Sequence, residues 1–498
     1  MTSEIHAAIT KAALGTLDAI LFPRGSIQPE HGAIMLVGAS TGQRRRTLLL
    51  REVLAPRPGE VVWDHYAGLL FSTGYKSRAV SAATQAQCGL AFIHTHPRTP
   101  SGAHPCPSEQ DFRADARDLF FLGQELLNAP LVAAVVAPNG RWSIREYKFS
   151  LPSESADVGM KGYRWRDGRI GWATALRVVG ERLEIRPCAH ARRGVENSAL
   201  DTQAQDSSIR LWGRDGQERL AGLRVGLTGL GGVGGILAEH LARLGVGELV
   251  MLDFDRLSVE NLNRSQGATR SDACMRKKKV AVGGRNARAA ATAPRFKATA
   301  RDGSAVERET IPYMLDCDII LNGADSPWAR QVLNHIAYAH MIPVINGGTE
   351  LRGRDGVLVA GKSEVSAAGP GHPCFECSGV YDRPSVTEAM EHPSLRGQRG
   401  YLQDGTQEPV RAPSVISNNA LVASLMELRL CAITLGTTPD AVFGTQRYDS
   451  LDGTLHWALT RACKAGCRQV SLTGLGDAHF LPTGTDLDRQ VALEVEKK

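Results

Sequence analysis

The stretch LRVGLTGLGGVGGILAEHLARLGVGELVMLDFD, residues 223–255, constrains this chain more than any other. An apolar run leads into Gly229, Gly231, Gly232 and Gly234. A run of helical period follows, then a second apolar run that ends in Asp253. Strand, glycine turn, helix and strand make a βαβ unit, which implies a parallel sheet. A glycine loop that opens a helix offers backbone N–H groups and the helix N-terminus to phosphates. An acid at the end of the second strand is placed to bond ribose hydroxyls.

That loop alone also fits a nicotinamide oxidoreductase. The residues after it point elsewhere. DFDRLSVENLNRS gives Asp253 and Asp255, then Asn261 and Arg264. A nicotinamide enzyme has no need of a fixed Asn and Arg so soon after the ribose acid, whereas an enzyme handling ATP phosphates does. Lys279, in RKKKV, adds a cation directed at phosphate, although Arg276 to Lys279 also read as a solvated basic face. In ILNGADSPWAR, Asp325 follows a strand, where a carboxylate can hold magnesium.

Together these residues resemble the ubiquitin-activating superfamily, with its ThiF/MoeB-like molybdopterin and thiamine-pathway adenylyltransferases, over about residues 206–470. The resemblance implies that Asp253 binds ribose, that Asn261, Arg264 and Lys279 bind phosphates, and that Asp325 holds Mg2+ or the adenylate. It also implies ATP as substrate and a homodimer in which an N-terminal Arg reaches the partner's ATP. In SSIRLWGRDGQ the expected position holds Ser207, with Arg210 the nearest candidate.

A second constellation lies upstream. FIHTHP puts His94 and His96 two apart at a strand end, on one face. Such a pair is ordinary polar surface or the start of a zinc site. In PSEQDF, Ser108 and Asp111 open a helix. They read as a capping box, and Asp111 also reads as a third metal ligand. With Glu30 in PEHGAIMLVG, these residues resemble the JAMM/MPN metalloprotease motif over roughly residues 10–150. The resemblance implies zinc on His94, His96 and Asp111, Glu30 as general base and Ser108 at the oxyanion. Glu52 is a rival for the base. Eleven residues separate His96 from Ser108, a longer loop than the family's, and the loop carries His104 and Cys106.

Cys374 and Cys377 (HPCFEC) and Cys463 and Cys467 (RACKAGC) form two close pairs. Four thiolates suit a tetrahedral structural zinc, as in many relatives of the second half. Unrelated reduced thiols are the alternative. Residues 378–430 contain no Cys, and Cys431 sits in an apolar helix, so the acyl-adenylate is expected as the principal intermediate.

The expected fold class is α/β: a JAMM/MPN α+β domain (1–150), a linker with a small structured element (151–205), a Rossmann-like adenylation domain with a mostly parallel sheet (206–470) and a loosely held tail (471–498). A helix is expected at Ile5–Leu21 and a hairpin in LRVVGERLEIRP. Apolar residues at 43% and charged residues at 22% exclude a disordered chain. No apolar run approaches a membrane span, and the N-terminus lacks a signal-like core. Ten cysteines are too dilute for a disulfide scaffold, and a net charge of +6 does not indicate nucleic acid. The expected protein is cytoplasmic. It joins a zinc isopeptidase to an activator of a ubiquitin-like protein in a bacterial conjugation system, working with a conjugating enzyme. A sulfur-carrier pathway is the alternative within the same chemistry, and a catalytically silent scaffold is the alternative outside it.

Overall fold

The computed structural model describes residues 4–23, 30–64, 68–126, 128–148, 169–190, 200–395, 413–437, 444–458 and 462–497. Its strands run β1 (Glu4–Thr10), β2 (Gly32–Thr41), β3 (Arg45–Leu54), β4 (Val61–Asp64), β5 (Gly68–Phe71), β6 (Gly89–Thr95), β7 (Leu131–Val136), β8 (Trp142–Lys148), β9 (Arg169–Val179) and β10 (Leu183–Pro187) in the first half. The second half holds β11 (Arg224–Thr228), β12 (Glu248–Leu252), β13 (Lys297–Arg301), β14 (Ile319–Asn322), β15 (Val344–Arg354), β16 (Val357–Ala368), β17 (Thr445–Asp449) and β18 (Thr454–Ala458).

In the first half the order is β1-β3-β2-β6-β7-β8-β9-β10, and β1 also pairs with β9, so seven strands close into a ring. Alternation divides its residues between two cores. Ala7, Met35, Leu50, Ile93, Ala134, Ile144 and Val178 turn inward with Leu14, Leu17 and Leu21 of helix Lys11–Leu21. Ile34, Leu36, Leu90, Phe92 and Tyr147 turn outward under helices Thr73–Gln85 and Glu109–Glu125, which contribute Tyr75 and Leu119.

Three expectations are corrected here. The expected helix Ile5–Leu21 is strand β1 followed by a helix that Thr10 caps through Ala13 N–H. The hairpin of the expected linker is β9–β10 and closes the ring, so the first unit extends to about residue 187. The expected loose tail is docked. Asp477 N–H donates to Ala39 O at 2.7 Å, Thr41 Oγ1 donates to Asp477 at 2.7 Å, and Trp328 Nε1 donates to Pro482 O at 2.7 Å.

The second sheet has the order β13-β12-β11-β14-β15-β16-β17-β18. Its first five strands are parallel and its last three antiparallel. The order reverses between β11 and β14, and in open α/β sheets the crevice at such a point, outside the strands' C-terminal ends, is where ligands bind. Helix Ile416–Leu435 is long and apolar enough to cross a membrane by composition alone. It instead buries Val422, Met426 and Leu430 in the same core as Leu227 and Ile345.

The halves meet at one seam. Ala8 and Leu49, on the outer face of the ring, join the core of the second half. Around them Arg45 pairs with Asp318 at 2.6 Å, Arg177 donates to Cys317 O at 3.0 Å, and His340 shares a 2.8 Å hydrogen bond with Ser40.

Candidate functional site

The nucleotide loop lies where β11 ends. Gly229 takes φ +78°, and a Cβ there would stand 2.6 Å from Ala324 N, so only glycine lets the loop lie against the turn after β14. Helix Gly232–Arg243 begins in that loop. Nothing lies within 4 Å of where a Cβ on Gly231 would be, which leaves room beside the helix N-terminus. A Cβ on Gly234 would meet Gly229 O, and one on Gly232 would meet the Asn419 amide, which covers the loop from helix Ile416–Leu435.

Asp253, just past β12, accepts from Asp255 N–H at 2.7 Å and from Leu230 N–H at 2.5 Å, so its carboxylate ties down the loop. Burial pushes its carboxyl up, against the nearby Lys279 ammonium. Lys279 Nζ donates to Asp255 at 2.6 Å. Asn261 is buried and accepts Ser258 N–H at 3.1 Å. Arg264 Nη1 donates to Glu260 O and to Asn263 Oδ1, both at 2.9 Å. Asp325 is exposed beyond β14, three residues after Asn322, whose side-chain Oδ1 accepts from Thr228 Oγ1 at 2.6 Å and ties β14 to β11. The glycine loop and Asp325 therefore flank the switch point.

Arg210 does not join this cluster. Its side chain is 78% exposed and pairs with Asp206 at 2.8 Å on its own helix.

At the metal cluster, β2 and β6 run antiparallel with Gly32 opposite His94, and His31 and Thr95 continue the ladder. Glu30 lies two residues before Gly32, at the entrance to β2. Helix Glu109–Glu125 crosses that face. His94 Nε2 lies 3.0 Å from Asp111 Oδ1 and His96 Nε2 lies 3.1 Å from Asp111 Oδ2. Tetrahedral zinc with bonds of about 2.0–2.1 Å spaces its nitrogen and oxygen ligands at roughly 3.3 Å, so the three fit one ion. Burial opposes ionisation of Asp111, but the hydrogen bonds from His94 and His96 outweigh it and hold the carboxyl below its usual range.

The capping box is present: Asp111 N–H donates to Ser108 Oγ at 3.2 Å, and Ser108 Oγ donates to Asp111 Oδ2 at 2.8 Å. Ser108 thus orients the Asp111 carboxylate. Glu52 is excluded as the base. It pairs with Leu36, four residues up β2 from Gly32 and so about 13 Å from the cluster. Cys106 is exposed and outside the ligand group. The sequence did not signal hairpin β4–β5, which packs Leu69 and Phe71 against Gly32.

The four cysteines converge. Cys374 and Cys377 Sγ each lie 3.7 Å from Cys467 Sγ, and Cys374 N–H donates to Cys463 Sγ at 3.1 Å. Tetrahedral zinc with Zn–S of about 2.3 Å spaces sulfurs at roughly 3.8 Å, so this set also fits. A hydrogen bond from Cys374 is the main cause holding the Cys463 thiol below its ordinary value.

Fold and site together define an α/β protein with a crevice at its switch point and a four-thiol cluster against the far end of helix Pro327–Ala339. The chain belongs to the ThiF family, whose model matches residues 204–469, more than half of its length. The metal cluster at His94 lies outside that match, so its reading rests on geometry. Among similar proteins, the molybdopterin-synthase adenylyltransferase of Escherichia coli (strain K12) is 32% identical over 194 residues, 38% of this chain and 73% of that one. The ubiquitin-activating enzyme E1-like protein of Saccharomyces cerevisiae is 28% identical over 179 residues, 35% of this chain and 26% of that one. A crystal structure of E. coli MccB + MccA-N7isoASN is similar at 17% identity and a TM-score of 0.44, covering 56% of this chain and 76% of that one.

Proposed function

We propose that the second half adenylates the C-terminal carboxylate of a ubiquitin-like or sulfur-carrier protein. The carrying observation is the convergence of the glycine loop, Asp253 and Asp325 at one switch point. ATP would lie with its ribose on Asp253 and its phosphates on the loop, with Arg264 and Lys279 turning toward them from their present partners. Asp325 would hold Mg2+. A carboxylate oxygen attacks the α-phosphorus, the bond to the bridging oxygen breaks, and pyrophosphate leaves. Names of relatives support this substrate class: one acts on molybdopterin synthase, another is ubiquitin-activating-like. Cys374, Cys377, Cys463 and Cys467 would hold a structural zinc, and the chain would pair as a homodimer through this half and hand its product to a conjugating enzyme or to sulfur. Arg210, exposed and paired with Asp206 on its own helix, would reach a partner's ATP in that dimer. Ten free thiols fit a reducing, cytoplasmic setting.

The first half, in the same reading, is a zinc hydrolase of JAMM/MPN type acting on amide bonds at such a C-terminus. His94, His96 and Asp111 leave a fourth position on the metal, and zinc held there would supply a Lewis acid and an activated water. Glu30, just before β2, takes the proton and returns it to the leaving amine. Hydrolysis exposes the carboxylate that adenylation uses.

The test is capture. His94→Ala protein with ATP and magnesium is incubated in lysate of the source cell, and captured small proteins are weighed intact. A glycine-ending protein of ubiquitin-like size that gains the mass of AMP supports the proposal. An ATP-dependent AMP adduct on a short peptide or a metabolite instead overturns the substrate class.

A further inference from the structure

Two charges of opposite sign stand beyond β14, and only one has a role so far. Asp325 lies in the turn, and Arg330 lies one turn into helix Pro327–Ala339, where its backbone N–H donates to Ser326 O at 3.1 Å. Among the described residues the Arg330 guanidinium pairs with no carboxylate. Its Nη1 donates only to Val380 O, at 3.3 Å, and its Nε is buried with no partner.

The guanidinium faces room instead. Its Nη2 stands 3.3 Å from where a Cβ on Gly348 would be, and among the described residues nothing else comes within 4 Å of that point. Asn346 of β15 pairs with Asn322, the last residue of β14, so Gly348 lies past the final rung of that ladder. Across β16, Gly348 sits opposite Glu364, whose carboxylate is already held by Arg447 at 2.6 Å. Burial lowers the Arg330 guanidinium pKa, and the charges of Asp325 and Glu364 work against it.

Strand order gives this cation a side. Across the sheet the order is β12, β11, β14, β15. With ribose at the end of β12, phosphates at the end of β11 and magnesium at Asp325 beyond β14, the β15 side is left for the incoming carboxylate. A half-buried charge without a counter-ion is costly to keep, so stability does not account for it. The planar fork of a guanidinium matches the two oxygens of a carboxylate.

We propose that Arg330 holds the C-terminal carboxylate of the carrier protein, with the end of its tail in the room beside Gly348. Arg330 keeps the oxygen that does not attack and leaves the other to the α-phosphorus. This rests on the adenylation reading. The test is ATP–pyrophosphate exchange by the whole chain, with the captured carrier protein as the varied substrate. Arg330→Gln should raise KM for the carrier roughly ten- to a hundredfold, the loss of one charge-assisted hydrogen bond, and leave KM for ATP unchanged. Arg330→Lys keeps the charge and should recover part of the loss. Calorimetry with ATP and Mg2+, and with inorganic pyrophosphate and Mg2+, should give the same Kd in Arg330→Gln as in wild type. Unchanged carrier KM in Arg330→Gln would overturn the proposal. So would an equal rise of KM for ATP, or weakened pyrophosphate binding, since either marks a phosphate or structural role. If no captured protein supports exchange in wild type, the adenylation reading fails and Arg330 loses its role with it.

Discussion

The guanidinium of Arg45, at the start of β3, sits 2.6 Å from the carboxylate of Asp318, just before β14, and both are almost fully buried. That pair joins the two halves. Asp318 also accepts Arg224 N–H at 2.9 Å, while its neighbour Asp316 accepts the backbone N–H groups of Arg44 and Arg45 at 3.0 and 2.9 Å. The ring and the nucleotide sheet therefore share one buried ionic seam.

Breaking the pair from one side should be costly. Arg45→Ala leaves a buried carboxylate and should lower stability by about 3–5 kcal/mol, whereas Arg45→Met with Asp318→Leu should lose much less. Chemical denaturation measures both. A single transition for wild type, lost or split in Arg45→Ala, is the expected result.

Acid should loosen the same seam. Burial is the main cause holding His340 down to about 3, against an unfolded value of 6.5. The folded pKa is depressed, so its contribution is whole above 6.5 and is lost as pH falls toward 3, at up to about 1.4 kcal/mol per pH unit. His340→Gln should flatten the fall in stability between pH 6.5 and pH 4. An unchanged pH profile of the melting temperature would count against it.

Metal content separates the two clusters. Wild type should carry about two zinc per chain and His94→Ala/His96→Ala about one. Elemental analysis of the purified proteins reads this. Unchanged zinc in the double variant would sink the first site.

Glu30→Ala should keep zinc and lose cleavage of a fused glycine-ending tail, since Glu30, just before β2, is the proposed base and lies outside the His94, His96 and Asp111 group. Retained cleavage would remove Glu30 as the base.

The nucleotide loop was legible because its demands are local. Only glycine serves at Gly229, and Asp253 closes the same unit within a few dozen residues. The His94, His96 and Asp111 cluster was legible for a similar reason, since period two on a strand and a helix cap each aim a side chain. Long-range pairing was not. EIHAAIT reads equally as the start of a helix, and only β3 and β9 make it a strand. The tail looked loose, yet Gly474 and Gly476 let it approach β2 so closely that a Cβ on Gly38 would stand 2.1 Å from Gly474 O.

The most direct test of the account is ATP–pyrophosphate exchange with the captured carrier protein, in wild type, Glu30→Ala and Asp325→Ala. Exchange should persist in wild type and Glu30→Ala and vanish in Asp325→Ala while that variant still binds zinc. Exchange that survives Asp325→Ala, or that no glycine-ending carrier supports in wild type, would contradict it.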